Sequence, residues 1–149
     1  MAGKDSLNSV LSQVPLFSLC NAKELKGIAR LTTGLNLAAG TVVARQGAIG
    51  HQFAVITEGT VSVSIDGMPI AELGPGDFFG EIALLDGGPQ TATITAETDI
   101  ALEIIGHPEF TEFLFTSPSV TRNILKGIAT RLRDADAKIS GTAGAPPLD

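Results

Sequence analysis

Leu73-Gly74-Pro75-Gly76-Asp77-Phe78-Phe79-Gly80-Glu81-Ile82-Ala83-Leu84-Leu85 runs through the middle of the chain, and after Asp86-Gly87-Gly88 comes Pro89-Gln90-Thr91-Ala92-Thr93-Ile94-Thr95-Ala96. Helix formers follow Gly80, and Asp86-Gly87-Gly88-Pro89 stops the helix after a single turn. On both sides the residues read as strands. Val61-Ser62-Val63-Ser64-Ile65 alternates with period two, Asp66-Gly67 follows as a hairpin signal, and Met68 to Leu73 runs back. Thr41-Val42-Val43-Ala44 and Phe53-Ala54-Val55-Ile56 are short apolar runs bounded by Gly40, Gly47, Gly50 and Gly59. Thr91–Ala96 and Ile100–Ile105 supply two more strands. Short strands at about 8–12-residue spacing point to a sandwich, roll or barrel and away from alternating β-α units. The helical turn embedded among them presents backbone N–H groups at its start, where an anion can sit.

Helical patterns flank this block. Leu7, Val10, Leu11 and Val14 keep the spacing of one helix face until Pro15. Asn21 stands three residues before Glu24, a capping box opening a short helix with Leu25, Ile28 and Ala29 inward. Beyond the strands, His107-Pro108-Glu109 opens one helix and Ser117-Pro118-Ser119 begins a longer one to about Ile139. Leu125, Ile128, Leu132, Ala135 and Ile139 form a 3-4 seam along it. That seam suits a helix pair or packing on the chain's own β block. Ser140 to Asp149 lacks periodicity and reads as a disordered tail.

Composition narrows the function classes. With 149 residues the chain suits one domain, and 44% hydrophobic against 17% charged residues excludes disorder as a class. A net charge of −6 argues against direct nucleic-acid binding, which needs a basic footprint. From Thr41 to Gly106 the only Lys or Arg is Arg45, set against nine acids. Arg45 is expected to point to solvent, so an anion held in this block relies on backbone dipoles. Cys20 is alone, which rules out an intrachain disulfide and a thiolate cluster. No apolar run approaches the ~20 residues of a membrane span. A soluble cytoplasmic protein is expected. His51 and His107 are far apart with no second ligand at metal spacing, and neither a nucleophile elbow nor a Walker loop occurs. The expectation is therefore a protein without catalytic or metal centre, not an enzyme.

The central stretch closely resembles the phosphate-binding cassette of the cyclic-nucleotide-binding domain family. The glycine-punctuated strands, Glu58-Gly59-Thr60-Val61-Ser62-Val63 and the helical entry Val14-Pro15-Leu16-Phe17 are similar to that family as well. The resemblance covers about residues 14–138. It implies a mainly β fold: an eight-stranded antiparallel β-roll (jelly roll) with N-terminal helices, a short cassette helix and C-terminal hinge and lid helices. Residues 1–139 then form one domain, with the roll at about 33–105 and the last helices at 107–139. No room remains for a helix-turn-helix before the chain ends.

The resemblance also implies a ligand, cyclic AMP or cyclic GMP, and a site made of Gly80, Glu81, Ile82, Ala83, Gln90, Thr91 and Ala92. Gly80 lets the backbone come close to the phosphate, and N–H groups of Ile82 and Ala83 hold it. Glu81 accepts from the ribose 2′-hydroxyl, and Thr91 adds a hydroxyl with a lean toward guanine. Family members that bind carry Arg after the cassette proline; here that position is Gln90, which donates hydrogen bonds without charge. Two functions are therefore expected. One is a ligand-sensing regulatory domain that signals by moving its C-terminal helices, read by a second protomer or a separate effector. The alternative is a degenerate domain that binds no nucleotide and serves interaction or dimerisation.

Overall fold

The computed structural model describes residues 4–50 and 52–143. Helix α1 (Lys4–Ser12), a 3₁₀ turn (Pro15–Phe17) and α2 (Ala22–Ala29) lead into strands β1 (Thr33–Leu37), β2 (Val42–Ala44), β3 (Gln52–Glu58), β4 (Val61–Ile65), β5 (Met68–Leu73) and β6 (Phe78–Phe79). Helix α3 (Glu81–Asp86) follows, then β7 (Thr93–Ala96), β8 (Ile100–Gly106), α4 (His107–Thr116) and α5 (Pro118–Ala143). The eight strands form two four-stranded sheets, ordered β1-β8-β3-β6 and β2-β7-β4-β5, with every pairing antiparallel. This is the expected roll with flanking helices.

Alternation along the strands divides the core in two. In β3, Phe53 and Val55 join the helices, while Ala54 and Ile56 face Val61, Val63, Ile94 and Ala96 of the second sheet. Both faces of β3 are covered, which is why its sequence is a continuous apolar run. In β4 only one face is buried, so Val61 and Val63 alternate with half-exposed serines. The β4–β5 turn uses Asp66 at φ 52° and Gly67 at φ 79°, both left-handed, as a tight two-residue hairpin requires.

The first helix ends at Ser12, yet Val14 is as buried as Leu7 and Leu11, because the 3₁₀ turn carries the apolar face onward. The capping box forms as read: Glu24 N–H donates to Asn21 Oδ1 at 2.8 Å and Asn21 N–H to Glu24 Oε1 at 2.9 Å. Asn123 on α5 adds a clasp, its Nδ2 donating to both carboxylate oxygens of Glu24 at 3.0 and 3.2 Å. These bonds, led by the Asn21 N–H, hold the Glu24 carboxyl below its ordinary 4.5 despite its burial. The stability this lends is complete above pH ~4.5 and is lost as the pH falls through the lowered value. Asn123→Ala is expected to cost about 1.5 kcal/mol at pH 7 and clearly less at pH 3, read by urea unfolding. Cys20 is buried beside this clasp, and its thiol is pushed up to about 11, chiefly by burial and then by the Glu24 charge. Alkylation by iodoacetamide at neutral pH is expected to be about a hundredfold slower than for an ordinary thiol, followed by mass spectrometry.

Helix α5 departs from its expected course in two ways. It continues through Ser140 to Ala143, so the start of the expected tail is helical; residues 144–149 lie outside the described residues. The seam also splits. Val120 and Ile124 are buried and Ile128 packs against the core, whereas Leu125 and Leu132 are each 60% exposed. The side chains of Ala135 and Ile139 lie outside the description. Gly127 lets α5 lie against the 3₁₀ turn, since a Cβ there would stand 3.1 Å from the Pro15 carbonyl oxygen.

Candidate functional site

The turn before the cassette is tied to β3. Gly76, at φ 92°, donates to the Ile56 carbonyl at 2.8 Å, and Ile56 N–H donates to Asp77 O at 2.8 Å. Asp77 closes the turn by accepting Gly74 N–H on Oδ2 at 2.9 Å. Phe79 and Phe78 then pair with Ala54 and Val55 of β3. Gly80 follows at φ 87°, and a Cβ on it would lie 2.5 Å from the Gln52 carbonyl oxygen. Only glycine fits there. Leu84 N–H donates to Gly80 O at 2.9 Å, which starts α3, and Leu84 is buried in the helical core while Ile82 is 52% exposed. After α3, Gly87 turns at φ 67° and Gly88 N–H is held by Asp86 Oδ1 at 2.7 Å.

The returning arm is laced to the β2–β3 loop. Gly50 N–H donates to Gly88 O at 2.8 Å, Gln90 N–H to Ala48 O at 2.7 Å, and Gly47 N–H to Gln90 O at 2.9 Å. Ile49 and Pro89 form a bridge between them. Loop and arm are one hydrogen-bonded unit.

Two hollows open beside it. A niche of about 30 Å³ is lined by Gly80, Glu81, Ile82, Pro89, Gln90 and Thr91. An adjoining cavity of about 380 Å³ has apolar walls including Ala54, Phe79 and Ile104, with Arg45, Gln52 and Gln90 as its long polar residues. Gln90 belongs to both. Five of the seven expected residues therefore meet at the niche. Ala83 lies one residue on in α3, its side chain outside the description, and Ala92 packs against the core between the sheets instead. Thr91 and Ala92 precede β7, which begins at Thr93 and not at Thr91.

Arg45 is exposed, as expected, and has a second position as well. It lines the cavity wall, because the Arg45–Ala48 turn (Ala48 N–H to Arg45 O, 3.1 Å) is pinned next to Gln90. Gln52 was not legible as a wall residue either. The Gly47 and Gly50 punctuation was the available signal. Among the described residues no three His, Cys, Asp or Glu gather as a metal site, and no helix is long and apolar enough to cross a membrane.

A β-roll interrupted by a short helix beside such a niche is a distinctive architecture, and known proteins share it. Residues 35–117, more than half of the chain, match the family described as Cyclic nucleotide-binding domain. A cyclic nucleotide-gated potassium channel of Rhizobium etli is 36% identical over 117 residues, 78% of this chain and 33% of its own. A cAMP-dependent protein kinase regulatory subunit of Schizosaccharomyces pombe is 34% identical over 116 residues, covering 77% and 28% respectively. The chain thus spans about a third of the length of these curated relatives. Among solved structures, the N-terminal domain of a transcriptional regulator from Streptomyces coelicolor A3(2) superposes with TM-score 0.80 at 31% identity, covering 86% of this chain and 95% of that one. The catabolite activator protein of Thermus thermophilus gives TM-score 0.68 at 27% identity, covering 87% and 63%. The chain belongs to the cyclic nucleotide-binding domain family.

Proposed function

We propose that this chain is a ligand-sensing regulatory domain that binds cyclic AMP or cyclic GMP across the niche and the cavity, and signals by moving α4 and α5. The observation that carries the proposal is the wall shared through Gln90 between a small polar niche at Gly80–Ile82 and a larger apolar cavity. A cyclic nucleotide has the matching halves, an anionic ring phosphate and a flat base. The cavity alone is within the ~300–1,000 Å³ usual for small-molecule sites. Glu81 then accepts from the ribose hydroxyl, Gln90 and Thr91 donate toward the phosphate, and the N–H groups of Ile82 and Ala83 complete its cradle.

A route to the helices also exists. Phe78 of β6 lies against Phe53 at 6.0 Å between ring centres with the rings tilted by 41°, Phe53 meets Phe17 edge-on at 5.7 Å, and Phe17 lies 6.0 Å from Phe110 of α4. A shift of the cassette strand presses on this chain of rings, and ligand binding biases the position of α4. The output passes to a second copy along Leu125 and Leu132 or to a separate effector. In this proposal the domain is cytoplasmic and regulatory, without catalysis, metal, or direct contact to nucleic acid or membrane.

Gln90 favours a second reading, in which the domain takes no nucleotide and acts as an interaction or dimerisation module. Calorimetric titration of wild type and Gln90→Arg with both cyclic nucleotides separates the two. Micromolar binding by the wild type, tightened by Gln90→Arg, is the expected result. Binding by Gln90→Arg alone hands the function to the interaction module, and silence from both excludes cyclic nucleotides.

A further inference from the structure

We propose that Arg45 supplies the counter-charge for the bound anion that position 90 no longer provides, an inference that rests on the cyclic-nucleotide function above. Four observations converge on it. Arg45 is the only Lys or Arg between Thr41 and Gly106, against nine carboxylates. It lines the cavity that meets the phosphate niche at Gln90, while the residues lining the niche itself include no Lys or Arg. The loop that carries it is bonded directly to the Gln90 backbone, through the Gly47 N–H and the Ala48 carbonyl. Among the described residues no hydrogen bond joins its side chain to a carboxylate, whereas its neighbour Gln46 is engaged at both ends by Asp66, its Nε2 donating to Asp66 Oδ1 at 2.9 Å and its Oε1 accepting from the Asp66 N–H at 2.8 Å.

The other long polar residues of the cavity, Gln52 and Gln90, are neutral. None of the described residues of helix α5 lines the cavity; the helix is docked on the 3₁₀ turn through Gly127 and on Glu24 through Asn123. Among the described residues lining the niche and the cavity, Arg45 is the one Lys or Arg, and a guanidinium can grip phosphate oxygens through two parallel N–H bonds that an amide cannot match. Moving that cation from the cassette arm to the facing loop leaves it at a solvent-exposed rim. Its contribution is accordingly sensitive to salt.

The test is titration of the full chain with cyclic AMP, cyclic GMP and adenosine, for wild type, Arg45→Gln, Arg45→Lys, Glu81→Ala and the double variant Arg45→Gln/Gln90→Arg. Arg45→Gln is expected to weaken both cyclic nucleotides about tenfold or more and to flatten the salt dependence, with adenosine unaffected. Arg45→Lys retains part of the affinity, and the double variant regains what Arg45→Gln lost. Equal unfolding midpoints for wild type and Arg45→Gln show that the fold is intact. Binding by Arg45→Gln within about twofold of wild type, while Glu81→Ala still weakens it, overturns the inference and leaves the cyclic-nucleotide function standing. An equal loss for adenosine overturns it too, by exposing a role in shape alone. A wild type that takes no cyclic nucleotide removes the function and the inference together.

Discussion

Gly80→Ala is expected to destabilise the domain by about 2–4 kcal/mol and to remove ligand binding at the same time. The left-handed conformation at φ 87° alone costs a β-carbon about 1–2 kcal/mol. The remainder comes from the Gln52 carbonyl, only 2.5 Å from the new methyl, which has to move. Gln52 opens β3 and also lines the cavity, so relief of the clash displaces a wall of the site. Gly76→Ala is the control. Gly76 has the same sign of φ, at 92°, but nothing stands within 4 Å of a Cβ there. Its loss is expected to stay at about 1–2 kcal/mol, the cost of the conformation alone, with the cavity intact. Urea unfolding of both variants, followed by titration, checks the pair; similar losses would show that the approach to Gln52 carries no weight.

Glu81→Ala is expected to lower cyclic-nucleotide affinity about 10- to 100-fold, enough to carry a micromolar ligand out of calorimetric range. A charge-assisted hydrogen bond to the ribose hydroxyl contributes about 1.5–3 kcal/mol, and Glu81 lines the niche from the first position of α3. A 2′-deoxy cyclic nucleotide isolates that contact. Wild type and Glu81→Ala are expected to bind it with similar affinity, because the hydroxyl is already gone. If Glu81→Ala weakens the deoxy ligand just as strongly, the carboxylate is serving the helix start and not the sugar.

The parts of this fold that were legible are those in which neighbours in sequence do the deciding. Val61–Ile65 alternates because one face is buried, Asp66-Gly67 adopts the two positive φ angles it advertises, and the Asn21–Glu24 box closes on itself. Strands β1 and β6 were not singled out. Thr33–Leu37 is almost wholly exposed and carries no period, and Phe78–Phe79 is a strand only through its register with Ala54 and Val55. The same division runs through the site. Gly80, Glu81, Ile82, Gln90 and Thr91, which line the niche, were singled out because they belong to one motif. The cavity wall at Arg45 and Gln52 was missed because it is built by bonds between Gly47 and Gln90, distant along the chain. Ala92 followed Thr91 in sequence but turns to the core, since the chain twists into β7 at that point. In α5 the stripe divides, Ile128 packing against the core beside Ile124 while Leu125 and Leu132 stay exposed, a split that only the docking of the helix decides.

The order of strands in the sheets sets a schedule for biosynthesis. β1 pairs only with β8, from Thr33 with Ile104 to Leu37 with Ile100, and β2 pairs only with β7. The earliest strands to leave a ribosome therefore wait for the latest, and such non-local closure belongs to the slow, millisecond-to-second end of domain folding. Until then Phe53-Ala54-Val55-Ile56, which is covered on both faces in the finished roll, is an open apolar edge inviting contact with other nascent chains. Translation that stalls before Ile100 leaves the cassette strand paired to a β3 whose other edge, the place of β8, is bare.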